Sequence, residues 1–160
     1  MALTLLSASF EDEQLGVHGT RTDDGQVVSV LFDYLSVESS ASDGDAIAQT
    51  VRANGTVRCE GTGWVTVHAR GAALVAGEQG YAHAMGWANG RRLRLPAPAT
   101  GEPISASVTA PVGADGLLRL SLLLLAQRDL TAPNSAAALW LDSLDIEVVP
   151  ARQLAGRRGA

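Results

Sequence analysis

The chain has 160 residues, of which 46% are hydrophobic and 4% aromatic, and it carries a net charge of −5. That is enough chain for one globular domain with a core of Leu, Val and Ala, while the acidic total argues against general nucleic-acid binding, which needs a basic footprint. No lysine is present, all 12 basic residues being arginine, which excludes Schiff-base chemistry, Walker-type phosphate loops and lysine-activated nucleophiles.

Asp24-Gly25, Asn54-Gly55, Asn89-Gly90 and Asp115-Gly116 punctuate the chain. Such pairs suit type I′ turns, whose central residues need positive φ and whose twist matches two antiparallel strands. In chain order, Ala2–Ser9 reads as a first strand, followed by an acidic loop at Glu11–Glu13. Gln26–Val37 reads as one long central strand, apolar on both faces, and Glu38–Asp45 as a Ser/Asp/Gly loop. A hairpin through Asn54-Gly55 is expected next, then a cleanly alternating strand at Trp64–Arg70 and a short strand or bulge at Ala72–Ala76. Tyr81–Trp87 and Arg91–Leu95 pair as a hairpin that Pro96 and Pro98 end. Ile104–Ala110 and Leu117–Ala126 make another, and the loop Gln127–Ser135 leads to a last strand at Ala137–Val149.

That last strand changes parity. Leu139 and Leu141 share one face, whereas Leu144, Ile146 and Val148 share the other, so a β-bulge near Asp142-Ser143 is needed to keep every one inward. The expected architecture is an antiparallel β-sandwich or jelly roll of about 8–10 strands. A closed antiparallel barrel is the second choice. Residues 1–150 form the single domain, and 151–160 a basic, flexible tail.

No apolar run approaches the roughly 20 residues that span a bilayer, so no membrane partner is expected. The opening residues lack a basic n-region, which points to the cytoplasm, or to secretion if a leader was removed. Charge is unevenly spread: residues 1–45 sum to −8, 46–100 to +4, 101–149 to −4, and the tail adds +3. The lone Cys59 excludes an internal disulfide and reads as a buried, inert thiol.

The best candidate surface follows from the Asn89-Gly90 turn. A two-residue loop opposes Ala88 to Arg91, Trp87 to Arg92, Gly86 to Leu93 and Met85 to Arg94. Ala82, Ala84, Gly86, Leu93 and Leu95 then face the core, and Tyr81, His83, Met85, Trp87, Arg92 and Arg94 face outward. By the same parity Trp64, Thr66, His68 and Arg70 point outward from their own strand. Trp64, His68, Arg70, Tyr81, His83, Trp87, Arg92 and Arg94 are therefore the candidate binding residues, expected to share one patch. Indoles stack on sugar rings and guanidinium groups fork onto anions, so the expected partner is a carbohydrate-like or anionic ligand, or another protein subunit, a second copy included. A plain Arg–Trp cover over the sheet is the competing account.

His68 and His83 would suit a metal only on neighbouring strands, and no metal or other cofactor is expected. Asp33 and Asp142 each interrupt an apolar strand; together with Glu60, Asp145 and Glu147 they are the acids from which paired carboxylates would be drawn. No nucleophile elbow or other catalytic motif is present, which favours a non-catalytic binding or assembly module. The alternative is a small β-barrel enzyme of cyclase or isomerase type, shaping a hydrophobic substrate in an enclosed pocket.

The strand Val28-Ser-Val-Leu-Phe-Asp-Tyr-Leu-Ser-Val-Glu38 resembles the opening strand of the secreted β-sandwich family catalogued as domain of unknown function 4360. The ending Leu141-Asp-Ser-Leu-Asp-Ile146 is similar to that family's close and to the last strand of many carbohydrate-binding jelly rolls. The resemblance spans about residues 26–148. It implies a sandwich fold and carries no activity to transfer.

Overall fold

The computed structural model describes residues 2–11, 17–21, 24–33, 35–40, 48–76, 80–95, 103–131 and 135–150. Every element among them is a β-strand: β1 (Thr4–Phe10), β2 (Val17–Arg21), β3 (Val27–Phe32), β4 (Ser36–Ser40), β5 (Ala48–Glu60), β6 (Trp64–Val75), β7 (Tyr81–Ala88), β8 (Arg91–Arg94), β9 (Pro103–Pro111), β10 (Leu117–Gln127) and β11 (Ala136–Val148). They form two antiparallel sheets. The first runs β1-β5-β10-β7-β8; the second runs β2-β3-β11-β6-β9, with β4 beside β3 against β11. The sheets stay separate, so the fold is a sandwich and not the closed barrel.

Alternation decides which residues fill the space between the sheets. Val57, Leu118, Leu120, Leu122, Leu124, Ala82, Ala84 and Leu93 come from the first sheet. Val28, Val30, Val65, Val67, Ala69, Leu139, Leu141, Leu144 and Ile146 come from the second, and all are buried in one cluster. Toward one margin, Phe10 of the first sheet meets Phe32 of the second edge-to-face, with ring centroids 5.2 Å apart.

The expected bulge is present. Against β6 the register of β11 shifts between Leu141 and Ser143, leaving Asp142 exposed while Leu139, Leu141, Leu144 and Ile146 all stay buried. The other neighbour must accommodate the same break. β3 pairs Ser143–Glu147 and β4 pairs Ala136–Trp140, so the long strand expected over Gln26–Val37 is interrupted around Asp33–Leu35. A hydrogen bond from Leu141 N to Leu35 O, 3.0 Å, stitches the gap.

Three of the four turn pairs do not form the two-residue hairpin that their chemistry suggests. Asn54-Gly55 lies inside the continuous β5, where the Phe10 ring covers Gly55 and the Ser121 hydroxyl donates to Asn54 Oδ1 at 3.0 Å. Asp115-Gly116 carries the chain from the second sheet to the first, so β9 and β10 are not partners: β9 pairs β6, and β10 lies between β5 and β7. Gly116 does adopt a positive φ of 77°, a demand that a sheet-crossing turn makes as readily as a hairpin. Asp24-Gly25 sits in a longer connection whose pairing opens at Arg21 and Val28.

Two further segments differ from expectation. Ser36–Ser40 is strand where a loop was expected, with Ser39 buried and its Oγ accepting from Arg128 N at 3.1 Å. Ala72–Val75 simply continues β6. The strand total exceeds the expected range because β3 and β4 split one segment and β2, with little apolar content, gave no signal. The acidic residues 12–16, loop residues 41–47, the prolines at 96 and 98 and the tail from 151 lie outside the described residues.

Gly71 makes the bulge feasible. It pairs with Leu141, and a Cβ there would stand 2.1 Å from the Trp140 carbonyl oxygen, a backbone atom that cannot rotate away. Gly71→Ala should therefore lower unfolding stability by about 2–4 kcal/mol, in the range of overpacking and strain at a special backbone position. Urea denaturation followed by tryptophan fluorescence checks this; an unchanged midpoint would mean that the bulge can slide.

Candidate binding faces

The hairpin at Asn89-Gly90 has the expected register, pairing Ala88 with Arg91, Trp87 with Arg92, Gly86 with Leu93 and Met85 with Arg94. Asn89 and Gly90 take φ of 45° and 81°, as a type I′ turn requires. Asn89 also ties the hairpin to its surroundings. Its amide nitrogen donates to Pro111 O at 2.8 Å and Leu117 O at 3.1 Å, and its Oδ1 accepts from Arg119 N at 2.7 Å. Ala82, Ala84, Gly86, Leu93 and Leu95 are buried, while Tyr81, His83, Met85, Trp87, Arg92 and Arg94 occupy the outer face of the first sheet.

Trp64, His68 and Arg70 also point away from the core, with Val65, Val67 and Ala69 buried between them, but they stand on β6 of the second sheet. The expected single patch is therefore divided: His68 and Arg70 lie on the opposite outer surface, and Trp64, at the start of β6, sits at the margin where Arg91 of the first sheet reaches it. Sequence parity gives the side of a strand correctly and is silent on which sheet the strand joins. The same separation keeps His68 and His83 apart, so they share no metal site. The cation–π contact found pairs Trp64 with Arg91, whose guanidinium carbon lies 5.1 Å from the indole centroid. Arg91, on the inward parity of β8, links the two sheets there.

On the first sheet, the rows next to Tyr81–Trp87 add residues that strand-by-strand reading did not connect. β10 sets Leu123 beside Met85 and Leu125 beside His83. Tyr81, His83, Met85, Leu123 and Leu125 line an open, strongly apolar groove of about 460 Å³. Arg92 and Arg94 border it on β8, and Arg52, opposite Leu123, borders it on β5. The alternating leucines of Leu122–Leu125 were the available signal: only two of the four face the core. Asp115 and Arg119 pair at the sheet margin at 2.7 Å, and that hydrogen bond, with a second from Leu117 N, holds the exposed Asp115 carboxyl below the usual range.

The second sheet's outer face has the opposite character. Asp145 faces His68 across the pair β11–β6, and Glu147 lies 3.6 Å from His68 Nε2. Where the strand break and the bulge meet, Asp33, Ser36, Glu38, Trp140 and Asp142 line a hollow of about 390 Å³. Asp33 and Asp142, singled out for interrupting apolar strands, are thus brought together by two linked register breaks. Glu60 lies on the other sheet, outside this acidic group.

No protein-family model matches this chain, and no curated protein is significantly similar to it.

Cys59 is 8% exposed on the inner face of β5, and burial pushes its thiol up to about 11. The unfolded thiol ionises first, so this group supports the fold fully below about pH 8.5 and its contribution is lost as pH rises through 11. Iodoacetamide should alkylate the folded protein with a pH midpoint near 11, and the urea-unfolded chain near about 8.5. Equal midpoints would show an accessible thiol.

Proposed function

We propose that this protein is a non-catalytic binding module whose recognition surface is the outer face of the first sheet. The observation that carries the reading is the apolar groove of Tyr81, His83, Met85, Leu123 and Leu125 bordered by Arg52, Arg92 and Arg94. An apolar trough with arginines at its rim favours a partner with an apolar body and an anionic group over a bare sugar. Trp87, next to Arg92 on the same face, supplies an aromatic surface within reach of that partner. The cyclase or isomerase reading needs an enclosed apolar chamber. Among the described residues the facing sides of the two sheets pack as one apolar cluster, and this groove lies on the outside.

Titration with 8-anilinonaphthalene-1-sulfonate, an aromatic anion, tests the reading through probe and tryptophan fluorescence. Leu125→Glu or Arg94→Gln should weaken binding about tenfold or more, a loss of roughly 1.4 kcal/mol or more. Dodecanoate should displace the probe, and the uncharged dodecyl maltoside should not. Unchanged binding in both variants, or equal displacement by the neutral amphiphile, would overturn it.

A further inference from the structure

The two outer faces of the sandwich carry opposite charge. Among the described residues, the first sheet presents Arg52, Arg58, Arg92 and Arg94 against Glu60, with Arg119 paired to Asp115 at its margin and Glu11 at the end of β1. The second presents Glu38, Asp142, Asp145 and Glu147, with Asp33 at the strand break, against Arg70. Each face also bears exposed apolar side chains: Tyr81 at 45% beside the groove on one, Leu31 at 49% and Leu74 at 50% on the other. Large apolar groups among charges are what a face-to-face contact uses.

We infer that the basic, grooved face of the first sheet docks onto the acidic face of the second sheet of another copy. This rests on the reading of the groove as a recognition surface and names its partner. Like faces cannot pair well, because first sheet on first sheet sets arginine against arginine and second on second sets carboxylate against carboxylate. Only the unlike pairing joins opposite charges. The hollow lined by Glu38, Asp142 and Trp140 offers the carboxylates and the indole on which guanidinium groups fork and stack.

Edge-to-edge joining is the competing geometry, and two of the four edge strands, β8 and β9, resist it. β8 carries Arg91, Arg92 and Arg94, and β9 is bounded by Pro103 and Pro111, which cannot donate to a ladder. Four strands about 4.8 Å apart and about 26 Å long give a face near 500 Å², hence about 1,000 Å² over two partners, at the lower limit of a specific interface. Because the two faces lie on opposite sides of one sandwich, the contact is heterologous and does not close on itself. The result is weak, salt-sensitive, head-to-tail stacking.

Sedimentation velocity over a concentration series, in about 20 mM and about 500 mM salt, tests this with two neutralised variants. One carries Arg92→Gln and Arg94→Gln; the other carries Asp142→Asn and Glu147→Gln, all at exposed positions. The unaltered protein should grow beyond a dimer with concentration in low salt and return to monomer in high salt. Each variant alone should self-associate at least about tenfold more weakly, and an equimolar mixture should recover a two-chain species that grows no further. A protein monomeric at every concentration overturns the inference, as does undiminished association of the Asp142/Glu147 variant, which would mean first sheet on first sheet. If the protein stays monomeric yet still binds the sulfonate probe in the groove, the stacking fails and the recognition surface stands. If the groove variants also leave probe binding unchanged, both fail.

Discussion

β11 must bury leucine and isoleucine side chains on one face along its whole length, although its sequence changes parity halfway. The bulge at Asp142 resolves that conflict, and much of the second sheet is arranged around it. β6 accommodates the displaced backbone with Gly71, where any side chain would meet the Trp140 carbonyl. On the other side the neighbouring strand divides into β3 and β4, each pairing with one half of β11. The acidic hollow is a by-product of this arrangement, since the residues displaced by two adjacent irregularities turn outward together.

The features legible in the sequence were those set by neighbours along the chain. The register of the Asn89-Gly90 hairpin, the inward and outward faces of β6, β7 and β8, and the bulge in β11 all follow from parity and turn chemistry. The features that were not legible are choices between distant partners. A turn with one positive φ serves a hairpin and a sheet-crossing connection alike, so Asp115-Gly116 looked like a hairpin. Asn54-Gly55 looked like a turn because nothing local announces that Phe10, from another strand, covers the glycine. The candidate surface divided for the same reason: Trp64 and Trp87 face outward as parity requires, yet β6 and β7 belong to different sheets.

Net charge alone describes this molecule poorly. A total of −5 conceals a sandwich with one basic and one acidic surface. The separation was already present as blocks along the chain, because β5, β7 and β8 fall within the arginine-rich middle and join the first sheet, while β3, β4 and β11 fall within acidic segments and join the second. β1 and β10, from acidic segments, join the first sheet all the same, and β6 places Arg70 among the acids of the second. Two outer faces of opposite charge make interactions depend on orientation as well as on ionic strength.

The position of β11 also orders events during synthesis. It is the last described strand to emerge, yet it sits in the middle of its sheet, with β3 and β4 on one side and β6 on the other. Until it is made, β6 and the β3–β4 pair have no strand between them, and their inward valines and alanines lack the leucines that cover them. The first sheet, by contrast, has all its strands once β10 is complete. Half the sandwich can therefore form while the chain is still being translated, and the other half waits for its central strand. During that interval a nascent chain displays unpaired strand edges to its neighbours on the same messenger.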